Sequence, residues 1–80
     1  MRAGAPTPVE AKREELERCD DALAGARSRL DSAAERTRGY PADLALDDLQ
    51  PLSLEIARLR GRRARLAEEL TAVEAEWAAT

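Results

Sequence analysis

The chain has 80 residues, enough for one small domain with little interior, and is rich in Ala, Leu, Glu and Arg, a composition of long helices or coiled coils rather than sheets. Its net charge of −3 argues against a general nucleic-acid binder, since such domains are ordinarily basic. Histidine is absent, which removes the commonest general base, and the single cysteine, Cys19, cannot form an internal disulfide.

The N-terminal "MRAGAPTPVEAK" lacks the apolar stretch of a signal peptide. No apolar run approaches the roughly 18 residues of a membrane span, so a cytoplasmic location is expected. Residues 1–6 read as a disordered tail. Then "TPVE" carries a helix start: Thr7 as N-cap, Pro8 at the first helical position and Glu10 as the capping-box partner. Val9, Leu16, Cys19, Leu23, Ala26, Leu30, Ala33, Thr37 and Tyr40 follow at 3–4 spacing, broken by Lys12. This first helix is expected over about 8–38, because Gly39 is a C-terminal stop and Tyr40 precedes a proline.

A loop is expected over 39–47, with at most a short helical turn at Asp43–Leu46. The second helix then starts at Asp47 or Asp48 and runs over about 48–78, with Pro51 in its first turn, where a missing N–H costs nothing. Its stripe is Leu49, Leu52, Ile56, Leu59, Arg63, Leu66, Leu70, Val73 and Trp77, a heptad pattern with Arg63 as the violation. Two helices of similar length and a short connection predict an all-α fold: an antiparallel two-helix hairpin, a helical coiled coil, dimerising into a four-helix bundle. A register centred between Leu44 and Ala45 sets Leu30 by Leu59, Leu23 by Leu66, Cys19 by Leu70 and Leu16 by Val73. It also sets Ala26 opposite Arg63, leaving room for the arginine stem, and Lys12 beside Trp77 for a cation–π contact. A register half a heptad away fits the leucines as well.

The segment "RLRGRRARLAEEL" puts five arginines into eight residues. Leu59 and Leu66 lie on the seam, so Arg58, Arg60, Arg62 and Arg65 fan out around the other faces. Residues 24–65 carry nine arginines and six acids, a balance of +3, while the remainder carries four bases and ten acids, a balance of −6. Single-stranded nucleic acid would call for aromatic platforms beside the arginines, and this segment has none. The asymmetry fits a partner of opposite polarity, including a second copy lying antiparallel, where charge sets orientation more than affinity. A lone helix pair also returns little against the entropy of ordering it. Ala22, Ala34, Leu44, Leu46, Leu54, Ala57, Ala64 and Ala67 offer further apolar surface.

The expected function is therefore that of a small non-catalytic protein–protein interaction module: an adaptor, regulator or assembly factor that homodimerises or docks on a larger protein. Tyr40, Leu44, Leu46, Leu54, Arg58, Arg62 and Arg65 are its candidate contact residues. No cofactor, metal or small-molecule substrate is expected, because no Gly-rich phosphate loop, zinc-ligand set or activated serine is present. Cys19, on the seam, reads as an inert small hydrophobe. Twelve arginines against one lysine suggest a GC-rich, bacterial gene. The alternative is a factor associated with RNA or RNA polymerase, using the arginines of the second helix against phosphate or an acidic hairpin tip. A hairpin with Asp43, Asp47 and Asp48 at its tip resembles the N-terminal coiled coil of Gre-type transcript-cleavage factors. That resemblance covers about residues 10–77 and is one of shape and charge placement. It would imply entry into the polymerase channel and a magnesium ion held by the tip acids. The family's second globular domain is missing, and the tip carries Leu44 and Leu46 where the family's is mostly polar.

Overall fold

A computed structural model describes residues 7–79, so the tail expected over residues 1–6 lies outside the described residues. Two helices, α1 (Pro8–Arg36) and α2 (Ala42–Ala79), fold back on each other as an antiparallel hairpin. The result is a rod with extents of 59 × 25 × 12 Å. The all-α hairpin expected from the sequence is the observed fold.

α1 begins as its sequence dictates. The Thr7 hydroxyl accepts from the Glu10 N–H, and the Glu10 carboxylate accepts from the Thr7 N–H, both at 3.1 Å. Two otherwise orphaned donors are satisfied reciprocally. At the far end Thr37 is the C-cap, and its buried hydroxyl donates back to the Ala33 carbonyl at 2.8 Å. The reversal then needs Gly39, whose φ of +90° is a conformation that residues with a Cβ avoid. The Tyr40 N–H donates to the Thr37 carbonyl, and the Ala45 N–H to the Pro41 carbonyl, so the next helix is launched directly from the turn.

The stripe of α1 is buried as spaced. Val9, Cys19, Leu23, Ala26, Ala33 and Thr37 are buried, while Lys12, Leu16 and Leu30 are half-buried between them. Only Tyr40 leaves the stripe, standing exposed beyond the helix. In α2, Ile56 and Leu66 are buried, and Leu49, Leu52, Leu59, Leu70 and Val73 half-buried. Ala26 and Ala33 are fully buried, and such small side chains let the two backbones approach closely. Leu23, Ala26 and Ile56 form the core cluster, with Leu30 and Leu59 packed against it.

Three sequence expectations need correction. The loop expected over 39–47 is much shorter, because α2 begins at Ala42 and runs through Pro51 as a helix interior. Pro51 cannot donate to the Asp47 carbonyl, a defect that costs about 3 kcal/mol in a helix interior. The helix continues because Ala45 and Leu49 carry the α2 seam back at 3–4 spacing and are half-buried, while the proline ring faces solvent. Secondly, the register is shifted. Ala26 packs with Ile56, seven residues nearer the turn than the expected Arg63. That is a slip of one heptad, about 10 Å at 1.5 Å per residue. Lys12 pairs with Glu69 rather than Trp77, and Trp77 is 55% exposed near the open end. Thirdly, Arg63, expected as a violation of the stripe opposite Ala26, is exposed and pairs with Asp20 on α1.

Apolar spacing alone cannot separate registers one heptad apart, because leucines meet leucines in both. The short turn and the flanking charges do. In the observed register four ion pairs cross the seam with opposite signs: Lys12–Glu69 at 3.0 Å, Arg13–Glu74 at 3.1 Å, Arg29–Glu55 at 2.8 Å, and Arg63–Asp20.

Two substitutions check this description. Pro51→Ala restores the missing N–H donor and should stabilise the hairpin by roughly 1–3 kcal/mol in urea denaturation. Were residues 42–50 a loop, it would leave stability unchanged. Reversing the charge at Arg29 or at Glu55 alone should lower the melting temperature, and reversing both should restore it; a register one heptad away gives no rescue.

Candidate interaction surface

The electrostatics divide into charges used inside the hairpin and charges left outside. The four cross-seam pairs, with Lys12–Glu15, Arg18–Glu14 and Arg38–Glu35 within or beside α1, occupy most of the charges flanking the seam. The Lys12 ammonium is held above its usual pKa, chiefly by its hydrogen bond to Glu69. The Arg63 guanidinium is raised likewise, chiefly by its hydrogen bond to Asp20. By contrast, Asp43, Asp47, Asp48, Arg58, Arg60, Arg62 and Arg65 form no ion pair among the described residues. These seven belong to α2 and are exposed; Glu68 on α2 and Glu17, Asp21, Arg27, Asp31 and Arg36 on α1 are likewise exposed and form no ion pair among the described residues.

The large exposed apolar side chains gather on the same helix. Leu46 is 61% and Leu54 63% exposed, and Leu44 and Tyr40 stand out near the turn. At 100° per residue, Leu54 points directly away from the seam positions Ala45 and Ile56. Leu46 lies about 80° to one side of it, in line with Ala57 and Ala64, and Gly61 lies about 20° from the Leu54 direction on that side. Leu44 lies about as far to the other side, in line with Arg62. Arg58 and Arg65 flank the Leu54 direction closely. The structure thus brings Leu54, Arg58 and Arg65 to the centre of the outer half of α2, with Leu46 toward one margin and Leu44 and Arg62 toward the other. Tyr40, in the turn, is separate from that face.

Sequence reasoning missed Asp43 and Asp47 as members of this face, because it read them as loop and cap residues. The 3–4 spacing of Ala45, Leu49 and Leu52 was the signal that could have placed them on a helix. A shallow groove beside the seam, lined by Leu23, Ala24, Arg27, Arg60 and Ala64, continues past Ile56 and Ala57 toward Leu30. It adjoins the Ala57–Gly61–Ala64 side of the outer face.

Chemically the surface offers apolar contact and charge recognition. Among the described residues no three His, Cys, Asp or Glu side chains converge as a metal-ligand group, and this includes the tip acids. Cys19 is buried, and its thiol donates to the Leu59 carbonyl at 3.5 Å. No helix among the described residues is long and apolar enough to cross a membrane.

No family model, curated protein or solved structure matches the chain. The resemblance to the Gre-type coiled coil therefore rests on hairpin shape and tip charge alone.

The seam and cap charges set a pH dependence of opposite sign at the two ends of the scale. The Glu10 carboxyl is held below its usual range, first by the Thr7 backbone N–H and then by the Thr7 side chain. Its contribution is present above the unfolded-state pKa and lost as the pH falls through the folded one. Lys12, with a raised pKa, contributes below its unfolded value and loses that contribution as the pH rises through the folded one. In acid titration followed by circular dichroism, Glu10→Gln should flatten the acid limb and leave the alkaline limb unchanged.

Proposed function

We propose that this chain is a small, non-catalytic protein–protein interaction module acting in the cytoplasm as an adaptor, regulator or assembly factor. It presents the outer half of α2 either to a second copy of itself or to a larger protein. Leu46 and Leu54 are the apolar contacts, with Leu44 and Tyr40 near the turn, and Arg58, Arg62 and Arg65 set charge recognition. The observation that carries this reading is the coincidence, on one helix face, of strongly exposed leucines with charges that the hairpin leaves unpaired. A helix face that served only solubility would not place an exposed leucine, Leu54, at its centre with Leu44 and Leu46 at its margins. The hairpin also has reason to bind something. Its core consists of a single seam, and among the described residues no large side chain is completely buried.

A second reading has one observation in its favour. Arg58, Arg60, Arg62 and Arg65 have no carboxylate partner among the described residues and could meet the phosphates of RNA, as in a polymerase-associated factor. Against it stand the acids on the same helix and the missing aromatic platforms.

Two measurements separate the readings. If protein contact is the function, self-association or retention of a specific protein from host extract should be lost in Leu46→Glu and Leu54→Glu variants that keep full helix content. Retention and self-association indifferent to both variants would remove the reading. RNA binding would appear as an affinity that falls steeply with added salt and with Arg58→Glu.

A further inference from the structure

Resting on the reading of the outer α2 face as a protein-binding surface, we infer that its partner is a second copy of this chain, packed antiparallel, α2 against α2, about a two-fold axis at Leu54.

The argument comes from the order of unpaired charges along α2. On the outer face acids come first, at Asp43 and Asp47; the apolar Leu54 follows; then come Arg58, Arg62 and Arg65. None of these charges is used inside the hairpin among the described residues. From Asp43 to Arg65 the unpaired charges are acidic before a midpoint and basic after it, and that stretch, which ends before the exposed Glu68, is complementary to itself run backwards. An isologous two-fold contact requires that property, because residue i then meets j and j meets i. The midpoint follows from counting. Asp43 and Arg65 each lie eleven residues from Leu54, and Leu46 and Arg62 each lie eight. Asp47 and Gly61 lie seven away, and Gln50 and Arg58 four. With Leu54 on the axis, Asp43 of one copy meets Arg65 of the other. Asp47 lands over the backbone of Gly61, between the Arg58 and Arg62 side chains of the second copy.

The apolar residues fit the same arrangement. Leu54, 63% exposed, meets its own symmetry mate on the axis. Leu46, 61% exposed, lies on the side of α2 that carries Gly61 and Ala64, and in the antiparallel arrangement reaches those residues of the other copy. Space is open there, since a Cβ built on Gly61 has nothing within 4 Å. Parallel packing in register sets acids against acids and arginines against arginines, and an antiparallel contact centred within residues 43–48 or 58–65 does one or the other. The resulting assembly is a four-helix array with the two α2 helices at its centre and an α1 on each flank.

The test is sedimentation equilibrium of the full chain, with circular dichroism to confirm that each variant remains helical. The wild type should sediment as a dimer at tens of micromolar. Leu54→Glu, which sets two carboxylates together on the axis, should raise the dimer Kd at least a hundredfold. Asp47→Arg and Arg62→Asp should each raise it about tenfold or more, since each sets like charges across the interface twice. Mixing those two variants, or combining both changes in one chain, should recover dimerisation to within a few-fold of wild type. A wild type that stays monomeric and helical at 200 µM overturns the proposal. A dimer indifferent to Leu54→Glu, or charge variants that the mixture does not rescue, overturns it too. A monomer whose Leu46→Glu and Leu54→Glu variants still lose a protein retained by the wild type from host extract sinks the second copy while leaving the protein-binding reading in place.

Discussion

The structure depends on one narrow seam. Val9, Leu16, Cys19, Leu23, Ala26, Leu30 and Ala33 line α1 at alternating three- and four-residue steps, and α2 answers with Leu49, Leu52, Ile56, Leu59, Leu66 and Leu70. Two features make this seam sufficient to fold the chain back. The first is its small residues: Ala26 and Ala33 are fully buried, so the helices approach closely enough for Leu23 and Ile56 to share one cluster. The second is the closed turn, in which Thr37 caps α1 through its buried hydroxyl and Gly39 takes the left-handed conformation needed to reverse direction. With a seam only two helices wide, every other face of each helix remains solvent-facing. What those faces carry decides what the protein can do.

They divide the charge of the molecule into two populations with different roles. Residues flanking the seam are paired across it, and these pairs do what apolar contacts repeating every seven residues cannot: they distinguish one heptad register from the next. As exposed pairs they contribute little to stability individually, so their role is selection between alternatives of similar apolar burial. The second population, on the outer half of α2, has no such role inside the chain. Between Asp43 and Arg65 the acidic and basic residues there are segregated along the helix rather than alternated, which gives up the intrahelical i,i+4 stabilisation that interleaving would provide. Such segregation makes physical sense when the complementary charges come from another molecule.

Much of the architecture is legible in the sequence, and the reasons are local. The capping box at Thr7, Pro8 and Glu10 is a short-range device whose partners sit three residues apart, so no tertiary context is needed to read it. The α1 stripe is legible because almost nothing interrupts its period. The start of α2 is not, because two principles compete there. A proline normally marks the beginning of a helix, and Pro51 behind Asp47 and Asp48 imitates such a start. The packing of Ala45 and Leu49 on α1 overrides it, a tertiary effect that a local signal does not report. The register error follows from the same cause: a loop read as too long moves the centre of the hairpin away from Pro41, and the periodic leucines then accept the wrong alignment. Of the candidate contact residues, Leu46, Leu54, Arg58 and Arg65 share a face, whereas Tyr40 does not, since the tight turn ends α1 before its stripe reaches that position.

The six residues, 42–47, that α2 gains ahead of its expected start matter beyond the count of helical turns. In a loop, Asp43, Leu46 and Asp47 would have no fixed angular relation to Leu54 or to the arginines, and the acidic half of the outer face would not exist as a surface. As helix, the segment puts Asp43, Asp47, Leu54, Arg58 and Arg65 within a narrow sector on one rigid rod, opposite the seam. The helix tolerates the broken hydrogen bond at Pro51 because the seam holds it from the other side, so the packing that folds the hairpin also displays the outer face. The stability of the hairpin and the integrity of its outer face are therefore coupled through a single stretch. Weakening the contacts of Ala45 and Leu49 with α1 would free the acidic turns to unwind from the proline outward. The arginines would then remain in place without the surface that complements them.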